Sequence, residues 1–276
     1  MGPLAGIRIV EMAGIGPTPM TAMLLADMGA TVIRVDRLVE SDLGIRKLPK
    51  FDLTNRNRRS VAIDLKKAEG IALVLDLVAQ ADGLIEGFRP GTMERLGLGP
   101  ETCAARNPRL VFGRMTGWGQ TGPLASRAGH DINYISLTGA LSQIGRAEGP
   151  PALPLNLVGD FGGGSLYLAF GMLCALLEAR TSGRGQTVDA AMVDGAASLM
   201  TYFYGAHAAG QHNRPRGHNV LDGGAPYCDT YLCAGGGYLS VGPVEKRFRH
   251  EFYGLIGLDT GTLPDAADPA NWPVQS

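Results

Sequence analysis

The chain has 276 residues, a formal net charge of -1 and 45% hydrophobic residues, enough for a core in one large domain or in one domain and part of another. The near-neutral balance gives no reason to expect nucleic-acid or membrane partners. Four cysteines, Cys103, Cys174, Cys228 and Cys233, form no C-x-x-C pair, which argues against a structural zinc site and for reduced thiols.

The first elements follow from short apolar runs and turn residues. Residues 7–12 read as a strand, A-G-I-G-P (13–17) as a turn with Pro17 in a helix first turn, and 18–28 as a helix that exits at Gly29. A second strand at 31–35 completes a strand–helix–strand unit with a parallel, right-handed crossover. Gly14 and Gly16 invite a dinucleotide-binding interpretation, but Pro19 stands where the fingerprint needs its third glycine. The stretch 36–42 is polar and loop-like. A third strand at 61–65, a helix at 66–79, a fourth strand at 83–87, a helical stretch at 89–97 and a fifth strand at 110–115 follow. This alternation predicts an α/β fold with a mainly parallel sheet, a Rossmann-like large domain.

Beyond it, an apolar strand-like run ends at Asp160, before Gly162, Gly163 and Gly164, and a helix follows over 164–180. A strand at 187–192 and a helix at 194–204 complete the large domain, 1–206. Residues 207–222 read as a linker, and 223–276 as a smaller α+β domain with strands at 227–232 and 238–241 and a helix at 245–258. No signal peptide or myristoylation pattern opens the chain, and its last residues are no peroxisomal address. The longest apolar run, 166–177, is shorter than a bilayer span, so the expected location is cytoplasmic.

Two proton-transfer groups stand out. His130 lies in A-G-H-D-I-N-Y (128–134), a Gly-flanked setting, and an imidazole with a reference pKa of about 6.5 works in either direction near neutrality. Asp160 stands where a strand is expected to give way to a helix N-terminus, as an N-cap and as a group facing a substrate. Free N–H groups there suit an anion. Two such groups beside an anion site suit acid–base chemistry on a carbonyl compound. An ordinary Asp, near 3.9, is a weak base at neutral pH, so desolvation would have to raise it. Arg34, Arg37, Arg56, Arg58, Arg59, Lys66, Arg89 and Arg95 fall near expected strand ends or the helices after them, where open α/β sheets bind ligands. Tyr134 and Asn156 read as internally satisfied polar groups, and Trp118 and Phe161 as core.

The stretches G-H-D-I-N-Y, N-L-V-G-D-F-G-G-G-S (156–165) and V-G-P-V-E (241–245) resemble the α-methylacyl-CoA racemases of the family III CoA-transferase (CaiB/BaiF-like) superfamily. So do M-T-G-W-G-Q-T-G-P (115–123), V-D-A-A-M-V-D-G (188–195) and L-D-G-G-A-P-Y (221–227), and the resemblance covers nearly the whole chain. It implies a cofactor-independent isomerase of lipid metabolism that moves the C2 proton of 2-methyl-branched acyl-CoA thioesters through an enolate. Coenzyme A is then part of the substrate, and no metal is involved. His130, paired with Glu245, would serve one face and Asp160 the other. Donors near 160–164 would hold the thioester oxygen, and Arg37, Lys66 and Arg95 match positions that contact CoA. The superfamily leaves two alternatives: a CoA-transferase that uses Asp160 as the acyl- and CoA-accepting carboxylate, or an inactive acyl-CoA-binding paralogue. The resemblance further implies an interlocked homodimer, and a chain that continues past 276 to return to the first domain. Without that return the small domain is expected to be mobile and the activity low.

Overall fold

In a computed structural model, which describes residues 2–39, 48–259, 261 and 263–272, the short apolar runs become the strands of one parallel sheet. Its strands are β1 (Arg8–Met12), β2 (Thr31–Asp36), β3 (Arg58–Ala62), β4 (Gly83–Glu86), β5 (Val111–Thr116) and β6 (Thr187–Ala191), ordered β3-β2-β1-β4-β5-β6. Ile9 pairs with Val32 on one side and with Gly83 on the other. The helices between them are α1 (Pro17–Asp27), α2 (Ala68–Val78), α3 (Thr92–Arg95), α4 (Pro100–Arg106), α5 (Asp131–Leu137), α6 (Ala140–Gln143) and α7 (Tyr167–Ser182), and α8 (Met192–Leu199) and α9 (Thr201–Ala208) follow β6. A hairpin of β7 (Asp229–Leu232) and β8 (Tyr238–Val241), then α10 (Lys246–Leu255), complete the regular structure. This is the α/β architecture expected.

Strand alternation divides the core into two layers. Ile9, Val32, Ile85 and Val111 face α1 and α7 and pack with Ala22, Leu25, Leu168, Met172 and Leu176. Val10, Met12, Leu84 and Phe112 face the other way and pack with Val74, Val78, Met93 and Cys103 of α2, α3 and α4. A parallel sheet covered on both faces needs such nearly continuous apolar strands, which is why these runs are easy to recognise.

Several expectations change. β3 lies three residues earlier than 61–65: among the described residues it pairs only with β2, and an edge strand tolerates the polar Arg58, Arg59 and Ser60. The stretch 89–97 is helical only over Thr92–Arg95, and α4, opened by Pro100 and Glu101, was not expected. The expected helix 194–204 is two helices meeting at Met200. The largest change concerns the run before Asp160, which is not a strand. Leu157–Leu166 is a wide helical segment with i→i−5 bonds that continues into α7, and Phe161 N–H donates to Asn156 O at 3.3 Å. Together they make a helical stretch of 26 residues, Leu157–Ser182, long and apolar enough by length and composition to cross a membrane. Its Leu168, Ala169, Met172, Ala175 and Leu176 are core residues.

The loop 36–42 lies partly outside the described residues, as does the chain end after 272. The contacts divide the chain into two compact units, 1–138 with 155–199, and 139–154 with 200–276. In the second unit, Tyr227 and Trp272 pack edge to face around Ala225. There Asn219 is buried and bonds to Arg214 O, Pro215 O and the Asp222 carboxylate, and Arg216 donates to three backbone carbonyls.

Candidate active site

The sheet order places β1 next to β4 while the chain leaves them toward opposite edges. In open α/β sheets the crevice beyond the carboxyl ends of two such strands is where ligands bind. The turns that leave β1 and β4 are built for close approach. Gly16 follows β1 with φ 64°, and a Cβ there would stand 3.5 Å from Asp160 Oδ2. A Cβ at Gly87, just past β4, would meet Thr18 Oγ1 at 2.2 Å. Ser165 Oγ donates to Pro17 O at 2.9 Å, which ties the Asp160 segment to the start of α1. Asp160 therefore stands at the carboxyl end of β1.

His130 is the N-cap of α5, in extended backbone, and its ring is exposed. Its N–H donates to Asn133 Oδ1 at 3.0 Å, while its carbonyl accepts from Asn133 N–H at 2.8 Å. This local cap explains why G-H-D-I-N begins a helix rather than a plain turn.

The cap of the Asp160 segment is Asn156, not Asp160, which lies inside the first turn. The expectation of free N–H groups at 160–164 also fails. Gly159 and Asp160 donate to Asp131 Oδ2 at 2.6 and 2.8 Å, so the anion at this helix start is the chain's own carboxylate. Gly162, Gly163 and Gly164 sit within the helical segment. Gly163 lies against α8, where a Cβ would come within 2.6 Å of Ala196 N. The glycines serve helix packing, not a turn.

Asp160 is half-buried, and Asn156 Nδ2 donates to its Oδ2 at 3.2 Å. Burial raises its pKa above the ordinary carboxylate value. The Asn156 hydrogen bond opposes this, the Asp131 charge adds to it, and His130 opposes it. His130 and Asp160 are thus electrostatic neighbours. Tyr134 is buried within electrostatic reach of Asp160. Its hydroxyl donates to Gly129 O at 2.5 Å, its ring meets Trp118 edge to face at 4.7 Å, and burial, reinforced by Asp160, pushes its pKa to about 12. Tyr134 is the satisfied polar residue expected. Asn156 is instead a ligand of the candidate base, and Asp131 was missed. The signal available for Asp131 was an acidic residue in the first helical turn directly after the cap.

Glu245 belongs to the second unit, where it is the exposed N-cap of α10. Arg37, Lys66 and Arg95 are exposed, and Arg95 donates to Thr92 Oγ1 at 2.9 Å. Arg34, Arg56, Arg58 and Arg89 have structural partners. Arg34 and Arg58 neutralise buried Glu11, Arg56 pairs with Asp27, and Arg89 donates to Ser126 O. Arg114 bridges Glu86 and Glu94, with burial pushing Glu86 to about 7. A polar hollow of about 160 Å³ lies among Arg34, Asp36, Asn55, Arg58, Arg59 and Ser60, not at His130 or Asp160.

The chain is 44% identical over 270 residues to the alpha-methylacyl-CoA racemase of Mus musculus and 43% over 272 residues to that of Homo sapiens, covering 98% of this chain and 69% of each relative. A crystal structure of a CAIB/BAIF family protein from Brucella suis superposes with a TM-score of 0.81 at 28% identity, over 99% of this chain and 76% of that one. The sequence profile described as CoA-transferase family III matches residues 4–273. These matches span almost the whole chain, and the chain belongs to CoA-transferase family III.

Proposed function

We propose that the chain is a racemase acting at C2 of 2-methyl-branched acyl-CoA thioesters by 1,1-proton transfer. The observation that carries this is the placement of His130 and Asp160. They come from two separate elements, near enough for His130 to act on the charge of Asp160, whose pKa burial raises above the ordinary carboxylate value. In one direction neutral His130 takes the C2 proton and the thioester oxygen gains the negative charge of an enolate. Protonated Asp160 then delivers its proton to the opposite face, and the reverse direction exchanges the roles. A base works best with a pKa near the working pH, and the raised Asp160 moves that way.

The oxyanion needs donors. With Gly159 and Asp160 N–H taken, the first-turn N–H groups of Asp131 and Ile132 in α5 are donors beside His130 with no acceptor among the described residues. A single donor of this kind is worth about 3–4 kcal/mol in precedent. Glu245 is proposed as the carboxylate partner of the His130 imidazole, a pairing that would fix the ring's tautomer. The assembly proposed is a homodimer, in keeping with apolar Phe170 and Leu177, which α7 leaves 68% and 66% exposed. The proposed setting is the cytoplasm.

Arg37, Lys66 and Arg95 are proposed to meet the phosphates of CoA. Arg37→Ala or Arg95→Ala is then expected to raise KM several-fold with kcat nearly unchanged, because such contacts bind ground and transition states alike. Added salt should weaken binding by the wild type more than by either variant. Steady-state kinetics at two salt concentrations checks this, and a fall in kcat alone would remove these residues from CoA binding.

A transferase reading draws on the half-buried carboxylate of Asp160, which could accept an acyl group and then CoA. The two differ in covalent intermediates. Incubation with a 2-methylacyl-CoA and hydroxylamine, with a second carboxylic acid present, is expected to leave Asp160 unmodified while the C2 centre racemises. A hydroxamate on Asp160 together with CoA transfer would favour the transferase.

A further inference from the structure

Asp131 is a buried acid that the proton-transfer scheme does not use. It is 4% exposed. Its Oδ2 accepts from Gly159 N–H at 2.6 Å and Asp160 N–H at 2.8 Å, and its Oδ1 is buried without a hydrogen-bond partner among the described residues. By sequence it is the first helical residue after His130, and through space it holds the first turn that carries Asp160. One carboxylate thus joins the backbone beneath both candidate bases. Ionised acceptors make shorter and stronger bonds to N–H groups, and two such bonds leave the Asp160 turn little freedom to rotate relative to α5. A Cβ at Gly159 would sit 2.8 Å from Asp131 Oδ2, so the glycine admits the carboxylate.

We propose that Asp131 is a positioning residue. Its carboxyl group, bonded to the Gly159 and Asp160 N–H groups, fixes the Asp160 turn against the His130 cap. Beside burial, the larger cause, Asp131 also acts to raise the pKa of Asp160. The proposal rests on Asp160 acting as a base in the racemase reading.

The surroundings of Asp160 leave Asp131 as the negative group that acts on it. His130, on α5, opposes the effect, and Tyr134, also on α5, is kept neutral by burial. Asp194 on α8 and Asp189 on β6 are exposed, Asp27 at the far end of α1 is paired with Arg56, and Glu178 and Arg180 lie exposed near the end of α7. Removing a negative neighbour favours the ionised form of a carboxyl group.

The experiment uses the full chain and its Asp131→Asn variant, with ¹³C-labelled Asp carboxyls. The Asp160 signal is the one missing in Asp160→Asn. In Asp131→Asn the Asp160 titration is expected to move to lower pH. The acid limb of the C2 deuterium-exchange rate should move the same way, and kcat at neutral pH should fall about tenfold or more, with KM within about twofold. An unchanged Asp160 titration would overturn the proposal, whether or not the rate falls, because a merely structural role lowers the rate without moving a pKa. If Asp131→Asn folds poorly, Asp131→Ser, a smaller neutral acceptor, takes the same titration. A wild type that exchanges no C2 proton would defeat the racemase reading, while the titration would still decide the role of Asp131.

Discussion

Asp160→Asn is expected to lower racemisation by a factor of a thousand or more with little loss of fold. The carboxyl group is one of the two proton-transfer groups, and each such group contributes typically 10²–10⁴ in rate. The amide keeps its shape and its contact with Asn156 but cannot take up a proton at neutral pH. The stability argument runs separately. Burial raises the pKa of Asp160 in the folded chain above its unfolded value. Such a group contributes stability that is fully present below the unfolded pKa, about 3.9, and is lost as pH rises through the folded pKa. At neutral pH the ionised carboxylate is therefore a burden on the fold, and the neutral amide should match or exceed the wild type. Steady-state kinetics with thermal melts at pH 7 check both halves. A variant with lost activity and a much lower melting temperature would mean that Asp160 is structural.

Gly195→Ala is expected to have the largest effect on stability. A Cβ at Gly195 would lie 1.8 Å from Gly163 O and 2.5 Å from Gly163 C, so backbone meets backbone where α8 crosses the Asp160 segment. No side-chain rotation relieves that contact, and the segment must move. Overpacking typically costs about 1–3 kcal/mol and sometimes more, and a clash with main chain belongs at or above the upper end. For a domain of this size that corresponds to a fall in Tm on the order of 6–12 °C. Because the displaced segment carries Asp160, kcat should also fall in protein that remains folded. Thermal unfolding with kinetics well below the melt measures both. A variant with wild-type Tm would contradict the helix crossing.

The parts of this fold legible in the sequence were those whose signal is local. The expected strands at 7–12, 31–35, 83–87 and 110–115 become β1, β2, β4 and β5 because a parallel sheet covered on both faces needs continuous apolar runs. β3 begins before its apolar residues because an edge strand can carry Arg58 and Arg59, which break such a run. The sequence into Leu157–Leu166 resembles a strand because Leu-Asn-Leu-Val alternates as a strand does and three glycines look like a break. What makes it helical is α8, some thirty residues later, whose Gly195 requires a glycine opposite. His130 and Asp160 were legible as chemistry because their residue types and settings are local. The pairing of Asp131 with the Gly159 and Asp160 N–H groups was not, since it joins segments 28 residues apart.

The central claim is that two bases work from opposite faces of one carbon, and enantiomer-resolved exchange tests it most directly. Each enantiomer of a 2-methylacyl-CoA is incubated in D₂O with wild type, His130→Ala or Asp160→Ala, and deuterium at C2 is followed by NMR. The wild type should exchange and racemise both. His130→Ala should lose racemisation and exchange chiefly the enantiomer whose proton faces Asp160, and Asp160→Ala should show the opposite preference. Equal and undiminished exchange of both enantiomers in either variant would contradict the account.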